Sequence, residues 1–379
     1  DFYEKMYAPL RRGYEESYAN PDRAAEIFGA EYGRLLSFLA SEIYQSFSQW
    51  MMGHLEAIVI LWELFVEIYT AFVYGEEEGE RPTAEAIARA VYWCVSDYSE
   101  EMVSWRIQEQ QVPDFSLVKS IIMTEDLSDL RYLYRFGDYI SETELGTAKH
   151  MNRLSQADID AMADTFVEGY IRGFEINRIS LENKKYVTVR GSIGFERVLR
   201  SAVEKFRKHG LEPVFFPAST TILNRRQVRV GYQGKSVNPQ FDFDHCKDKA
   251  LYYDRAMANR HLAALKKAYE ACREWISANA GPACFETFGE SPFTPVMKEN
   301  ACRLSGKQQK LEVEFSNLQA GLAEQYMKIS EISYTIIAFP TPDIGPDYEA
   351  IFDEIVKVNT LNNDIYREIQ QKIICLLYT

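Results

Sequence analysis

The stretch from Lys185 to Phe216 constrains the fold of this chain more than any other. Lys185-Tyr-Val-Thr-Val-Arg190 is β-branched and aromatic, the composition of a strand. Phe195 to His209 places Phe195, Val198, Leu199, Ala202, Val203 and Phe206 at helical spacing, and Gly210 can supply the left-handed residue that ends a helix. Pro213-Val-Phe-Phe216 then reads as a second strand. Strand, helix and strand within about 35 residues make a βαβ unit, and strands joined by such a crossover lie parallel.

Elements downstream extend this unit. Gln227–Gly231 reads as a short strand or hairpin, Asp248–Ile276 as a long helix, Ala283–Phe288 as a strand and Lys307–Met327 as a helix. Ser333–Phe339 is almost wholly apolar, as a strand covered on both faces should be. Pro346 opens a helix whose apolar set, Ile351, Ile355, Val358, Ile365, Ile369 and Ile373, runs nearly to Thr379. Another strand usually follows such a helix, so the chain is expected to be truncated here and to continue past Thr379.

Residues 1 to 176 show helical periodicity and no strand. Pro21-Asp22 precedes a helix around Ala24–Gln49. Pro82-Thr83 opens one through about Gln108, and Pro113-Asp114 breaks the pattern. Ser141 to Glu144 and Ser155 to Asp158 have capping-box spacing, and the second box starts a helix ending near Ile171–Gly173. The expected architecture is an all-α domain of about six helices (1–176) followed by a Rossmann-like three-layer α/β domain with a mostly parallel sheet (177–379).

The segment Ala57–Val73 is nearly all apolar, but Glu63 and Glu67 interrupt it. Each mid-span carboxylate costs roughly 2.5–3.5 kcal/mol in lipid. With Glu56 they share one helix face, so the expectation is a core helix with one wet stripe and no membrane. Glu76, Glu77, Glu78 and Glu80 beside Gly75 and Gly79 read as a solvated loop, the alternative being an acidic binding patch.

A net charge of −14 argues against nucleic acid as a partner. The densest basic stretch, Arg225, Arg226, Arg229 and Lys235, is too small to reverse that. Six widely spaced cysteines without a CxxC pair fit reduced thiols in a cytoplasmic protein. Five histidines form no HExxH and no close pair, so no metal site and no catalytic residue is assigned. His54 and His150 are isolated on helices. His209 adjoins a helix end, and His261 reads as a surface residue among Arg260, Lys266 and Lys267.

Three local candidates remain. Phe241-Asp242-Phe243-Asp244-His245 offers two carboxylates and an imidazole before a helix; they can bind a cation or act as a base, or Asp244 can cap that helix. Glu286 and Glu290 flank Gly289 after a strand, where loops of parallel sheets line substrate clefts. Gly191 and Gly194 in the first βα turn can hold an anion at a helix N-terminus, although GxxG falls short of a dinucleotide fingerprint.

The segments NKKYVTVRGSIGFERVLRSAVEKFRKHGLEPVFF, YTIIAFPTP and DYEAIFDEIVKVNTLNNDIYREIQQKII, between Asn183 and Ile373, resemble the N-terminal α/β part of the aminopeptidase T and aminopeptidase S type family of metallo-aminopeptidases. The resemblance covers about half the chain, and the Pro-Thr loop departs from it by continuing Pro-Asp-Ile-Gly. It implies release of N-terminal amino acids from a peptide substrate by two divalent metal ions such as zinc or cobalt. The ligands of those ions lie beyond the position matching Thr379, so none is carried onto this chain, which alone should be silent. The competing readings are a standalone Rossmann-like nucleotide- or acyl-group-binding enzyme with a helical lid, and a non-enzymatic helical scaffold. A homo-oligomer is compatible with each.

Overall fold

The computed structural model describes residues 2–218, 222, 229–360 and 363–378. Nine α-helices precede the first strand among them: α1 (Phe2–Tyr7), α2 (Pro21–Phe28), α3 (Ala30–Met51), α4 (Leu55–Glu78), α5 (Ala84–Asp97), α6 (Ser99–Gln111), α7 (Leu117–Thr124), α8 (Glu142–Arg153) and α9 (Gln156–Asn177). Strands then alternate with helices: β1 (Tyr186–Ser192), α10 (Glu196–Lys208), β2 (Glu212–Phe215), β3 (Tyr232–Gln233), α11 (Pro239–His245), α12 (Arg255–Ala271) and α13 (Arg273–Ser277). The chain goes on through β4 (Asn279–Phe288), α14 (Gly306–Glu324), β5 (Thr335–Pro340), α15 (Tyr348–Asn359) and α16 (Asn363–Tyr378).

Every strand pair is parallel. The order is β2-β1-β4-β5, with β3 beside the end of β1. Pairing is in register from Tyr186 opposite Glu212 to Val189 opposite Phe215, while β1 meets β4 through an irregularity between Tyr186 and Thr188. The fold is therefore helices with a five-stranded parallel sheet, as the βαβ unit requires.

The hydrophobic core crosses residue 176 without a break. Ile121, Leu133, Met151, Phe166 and Tyr170 from the helical half share one cluster with Val187, Val189, Phe285, Phe339 and Phe352. Aromatic rings fill it in series: Phe195 to Phe285 at 4.8 Å, Phe285 to Phe339 at 5.0 Å, Phe339 to Phe352 at 5.3 Å. Offset ring pairs at these spacings add to what burial alone provides. The division expected at 176–177 is thus not a boundary in packing, because α8 and α9 serve as a layer on the sheet.

Local chemistry explains several boundaries. Ser141 forms the expected reciprocal capping box with Glu144, whereas Ser155 Oγ accepts from Asp158 N–H at α9 and itself donates to Asp158 Oδ2 at 2.6 Å, so the carboxylate takes the cap's hydroxyl. The helix expected through Gln108 is divided at Tyr98 into α5 and α6. Asp248–Ile276 is a short 3-10 turn followed by α12 and α13, since Asp254 caps a fresh start by accepting from Met257 N–H at 2.7 Å. The expected terminal helix is two, α15 and α16. Gln227 and Val228, part of an expected strand, lie outside the described residues, as do Arg225 and Arg226 of the basic stretch.

Two expectations about exposure are corrected. Ser333–Phe339 supplies β5, which is an edge strand, so Ile336 is 55% exposed instead of covered. The apolar Ala57–Val73 segment belongs to α4, which runs on through the acidic residues to a left-handed Gly79 cap (φ +77°) and so replaces the expected loop. It is a surface helix: only 17% of its most apolar window is buried, although it is long and apolar enough to cross a membrane.

Candidate functional site

Alternation along β1 divides the sheet's surroundings. Val187 and Val189 face the aromatic core, and Thr188 and Arg190 face the opposite layer of α6, α12 and α14. Asn279 donates to Thr188 Oγ1 at 2.8 Å and to Gln111 Oε1 on α6 at 3.3 Å, which ties that layer to the sheet. Between the two lies a cavity of about 780 Å³.

Five cations line this cavity, Arg106, Arg190, Arg229, Lys247 and Lys249, against one carboxylate, Glu312. Neighbours fix most of them. Arg106 donates to the carbonyls of Pro217 (2.9 Å) and Val230 (3.2 Å) and lies 5.0 Å over the Phe216 ring. Arg229 donates to both Asp138 oxygens at 2.9 Å. Lys249 pairs with Glu312 and sits over the Tyr253 ring, and Lys247 reaches the same carboxylate at 3.7 Å.

Arg190 differs. No carboxylate pairs with it among the described residues, and its Nε is buried without a hydrogen bond there. A buried donor left unmade is costly, which is a reason to look for an absent acceptor. His261 also lines the cavity; burial, then the charge of Lys249, pushes its imidazolium down to about 4. The ring is therefore neutral near neutral pH and able to accept as well as donate. His261 is accordingly no surface residue: α12 turns it inward although its neighbours in sequence are basic.

The residues singled out from sequence sit elsewhere. Asp242, Asp244 and His245 precede the long helix as expected but lie within a short helix of their own, α11, because Asn238 caps it and Pro239 occupies its first turn; Asp254, not Asp244, caps α12. Asp244 accepts from Tyr14 Oη at 2.6 Å and Gln240 Nε2 at 2.7 Å, and Asp242 accepts from Ser236 Oγ at 2.5 Å. His245 is buried between Asp248 Oδ2 (2.7 Å) and the Ala19 carbonyl (2.6 Å). The ring is thus held at both nitrogens, by a side chain of its own segment and by the N-terminal segment. This network pins the N-terminal segment to α11.

Gly191 belongs to β1, opposite Tyr232 of β3, and Gly194 lies in the turn before α10, where the anion position is filled from within. The Gly194 N–H donates to both oxygens of the wholly buried Glu196 (2.9 and 3.0 Å), which also accepts from Tyr132 (2.5 Å) and Tyr232 (2.6 Å). A Cβ on Gly194 (φ +109°) would meet Thr147 at 2.9 Å, so this glycine lets α8 approach the turn. Glu286 is an exposed residue within β4, Glu290 is exposed just beyond its end, and neither lines the cavity.

Sequence reasoning missed Arg106, Arg190 and His261. Arg190 had a signal: it alternates with valines in a strand, so it must face away from the core they form. Arg106 and His261 had none, because only tertiary packing brings α6 and α12 together over the sheet. Among the described residues no three His, Cys, Asp or Glu side chains are grouped to hold a metal ion. Compared with known proteins, the chain matches no family model, no curated sequence and no solved structure.

Proposed function

We propose that this protein binds a small anionic molecule with a ring or other apolar portion, on a Rossmann-like scaffold whose helical half serves as lid. The observation that carries the reading is Arg190, a cation without a carboxylate partner among the described residues, in a cavity whose other four cations are held by Glu109, Asp138 and Glu312. Low-dielectric walls focus such a field and draw an anion inward. The volume suits a nucleotide-sized ligand, and Phe216, Tyr252 and Tyr253 offer ring faces beside the charges. In this reading Arg190 supplies the main charged contact, and neutral His261 offers a hydrogen bond.

The test is calorimetric titration with ATP, NAD, acetyl-coenzyme A and pyrophosphate. At least one nucleotide or acyl ligand should bind, and Arg190→Gln should weaken it at least tenfold, the scale of a lost charge-assisted contact. Absence of binding by all four, or affinity indifferent to Arg190→Gln, overturns the proposal.

A second reading, the front part of a cytoplasmic metallo-aminopeptidase, is supported by the order of β1, α10 and β2 and by β5 leading through Pro340-Thr341 to α15. There the same cavity would be one wall of a peptide cleft, with the two divalent ions held by residues outside this sequence. Its test is amino-acid release from leucyl peptides with added zinc or cobalt. Silence of this chain, together with peptide binding that nucleotides do not displace, favours it over the first reading.

A further inference from the structure

Helix α4 has two apolar faces, and the molecule uses one. Ile60, Leu64 and Ile68 are 2–5% exposed and pack inward with α3 and α5. On the opposite side Leu55, Val59, Trp62, Val66, Tyr69 and Val73 are 37–59% exposed. Their spacing alternates four and three residues, the 3.5-residue period of a coiled-coil seam. From Leu55 to Val73 this stripe is about 27 Å of continuous contact surface.

We propose that α4 pairs in parallel with α4 of a second copy of this chain. The residue types select both partner and direction. One class of seam positions is Val59, Val66 and Val73, and the other is Leu55, Trp62 and Tyr69. β-Branched residues at the first class with large γ-branched or aromatic ones at the second suit a two-stranded parallel pair. Glu56 and Glu63 border one edge of the seam; Ile58, Phe65 and Phe72 border the other. In a parallel pair each acidic edge meets the partner's apolar edge. In an antiparallel pair centred on the stripe Glu63 faces Glu63 of the other copy, which is unfavourable.

A bilayer is the other surface such a helix fits, and three observations disfavour it. Glu56, Glu63 and Glu67 form a row along the span; Glu63 accepts from Tyr98 Oη at 2.7 Å; and the inward stripe is already engaged by the protein. Charges in that row would have to enter lipid without a partner in it.

The experiment is sedimentation of the full chain at micromolar concentration, with three companions. The wild type should be a dimer. Val66→Glu should be a monomer with unchanged circular dichroism and unfolding temperature, because Val66 supports nothing within one copy. In a Cys375→Ser background, Val66→Cys should form an interchain disulfide on oxidation, since a parallel in-register seam sets this position against itself; Glu67→Cys should not. A monomeric wild type overturns the proposal, and so does a dimer that Val66→Glu leaves intact. A dimer that Val66→Cys does not cross-link overturns the parallel arrangement. Flotation of a monomer with phosphatidylcholine–phosphatidylglycerol vesicles would assign the stripe to lipid and overturn the pairing.

Discussion

The two faces of the sheet are made by the same strands and differ in nearly every physical respect. Towards α9, α10 and α15, Val187 and Val189 meet a run of buried phenylalanines. Towards α6, α12 and α14, Thr188 and Arg190 meet a cavity with five cations. Alternate residues of one strand thus fill a core on one side and line a cavity on the other. The comparison teaches that mutations one residue apart should act on different properties.

The sharpest break is expected on the dry face. Phe285→Ala removes a ring 2% exposed and in contact with three others, so it should cost about 3–5 kcal/mol in urea unfolding. A loss well under 1 kcal/mol would mean that the face is loosely packed. Next comes the junction between the faces. Glu196→Gln places an amide before two phenols and a backbone N–H that all donate, and should cost about 1–3 kcal/mol by the same measurement.

On the cavity face the sign should reverse. Arg190→Leu removes an incompletely satisfied cation, so stability should stay level or rise by up to about 1 kcal/mol while ligand binding is lost. Equal destabilisation by Phe285→Ala and Arg190→Leu would erase the distinction between the faces.

The smallest effect concerns His261. Its folded value of about 4 lies below the ordinary 6.5, so between them the unfolded chain takes up a proton that the folded one refuses. Stability should therefore decline as pH falls through that window, and His261→Gln should flatten this part of the decline. Thermal midpoints measured across the window for both proteins check it; parallel curves would show that His261 charges freely.

What sequence made legible follows the range of the interactions. β1, α10 and β2 end within a residue or two of expectation, and Ser141 caps α8 as its spacing requires, because strand composition, helical period and caps act over a few residues. Asp242 to His245 were read as an alternating acidic segment, and the local signal that decides otherwise, Asn238-Pro239 as a helix start, lay just before them. The cavity was illegible for a different reason: its walls come from residues near 106, 190, 261 and 312, and no local rule brings these together. Apolar character in α4 was equally plain in sequence, yet hydrophobicity alone does not say which of two faces the chain will cover.

The core that passes through residue 176 carries a consequence for how the protein is made. Phe166, Tyr170 and Phe174 leave the ribosome early and β1 follows at once, yet β4 and β5 of the same sheet follow much later. At about 5–20 residues per second this wait lasts on the order of ten seconds, with the apolar face of an amphipathic helix lacking its final neighbours. Slowing translation before β4 should lengthen that vulnerable interval and raise aggregation without changing a single native contact.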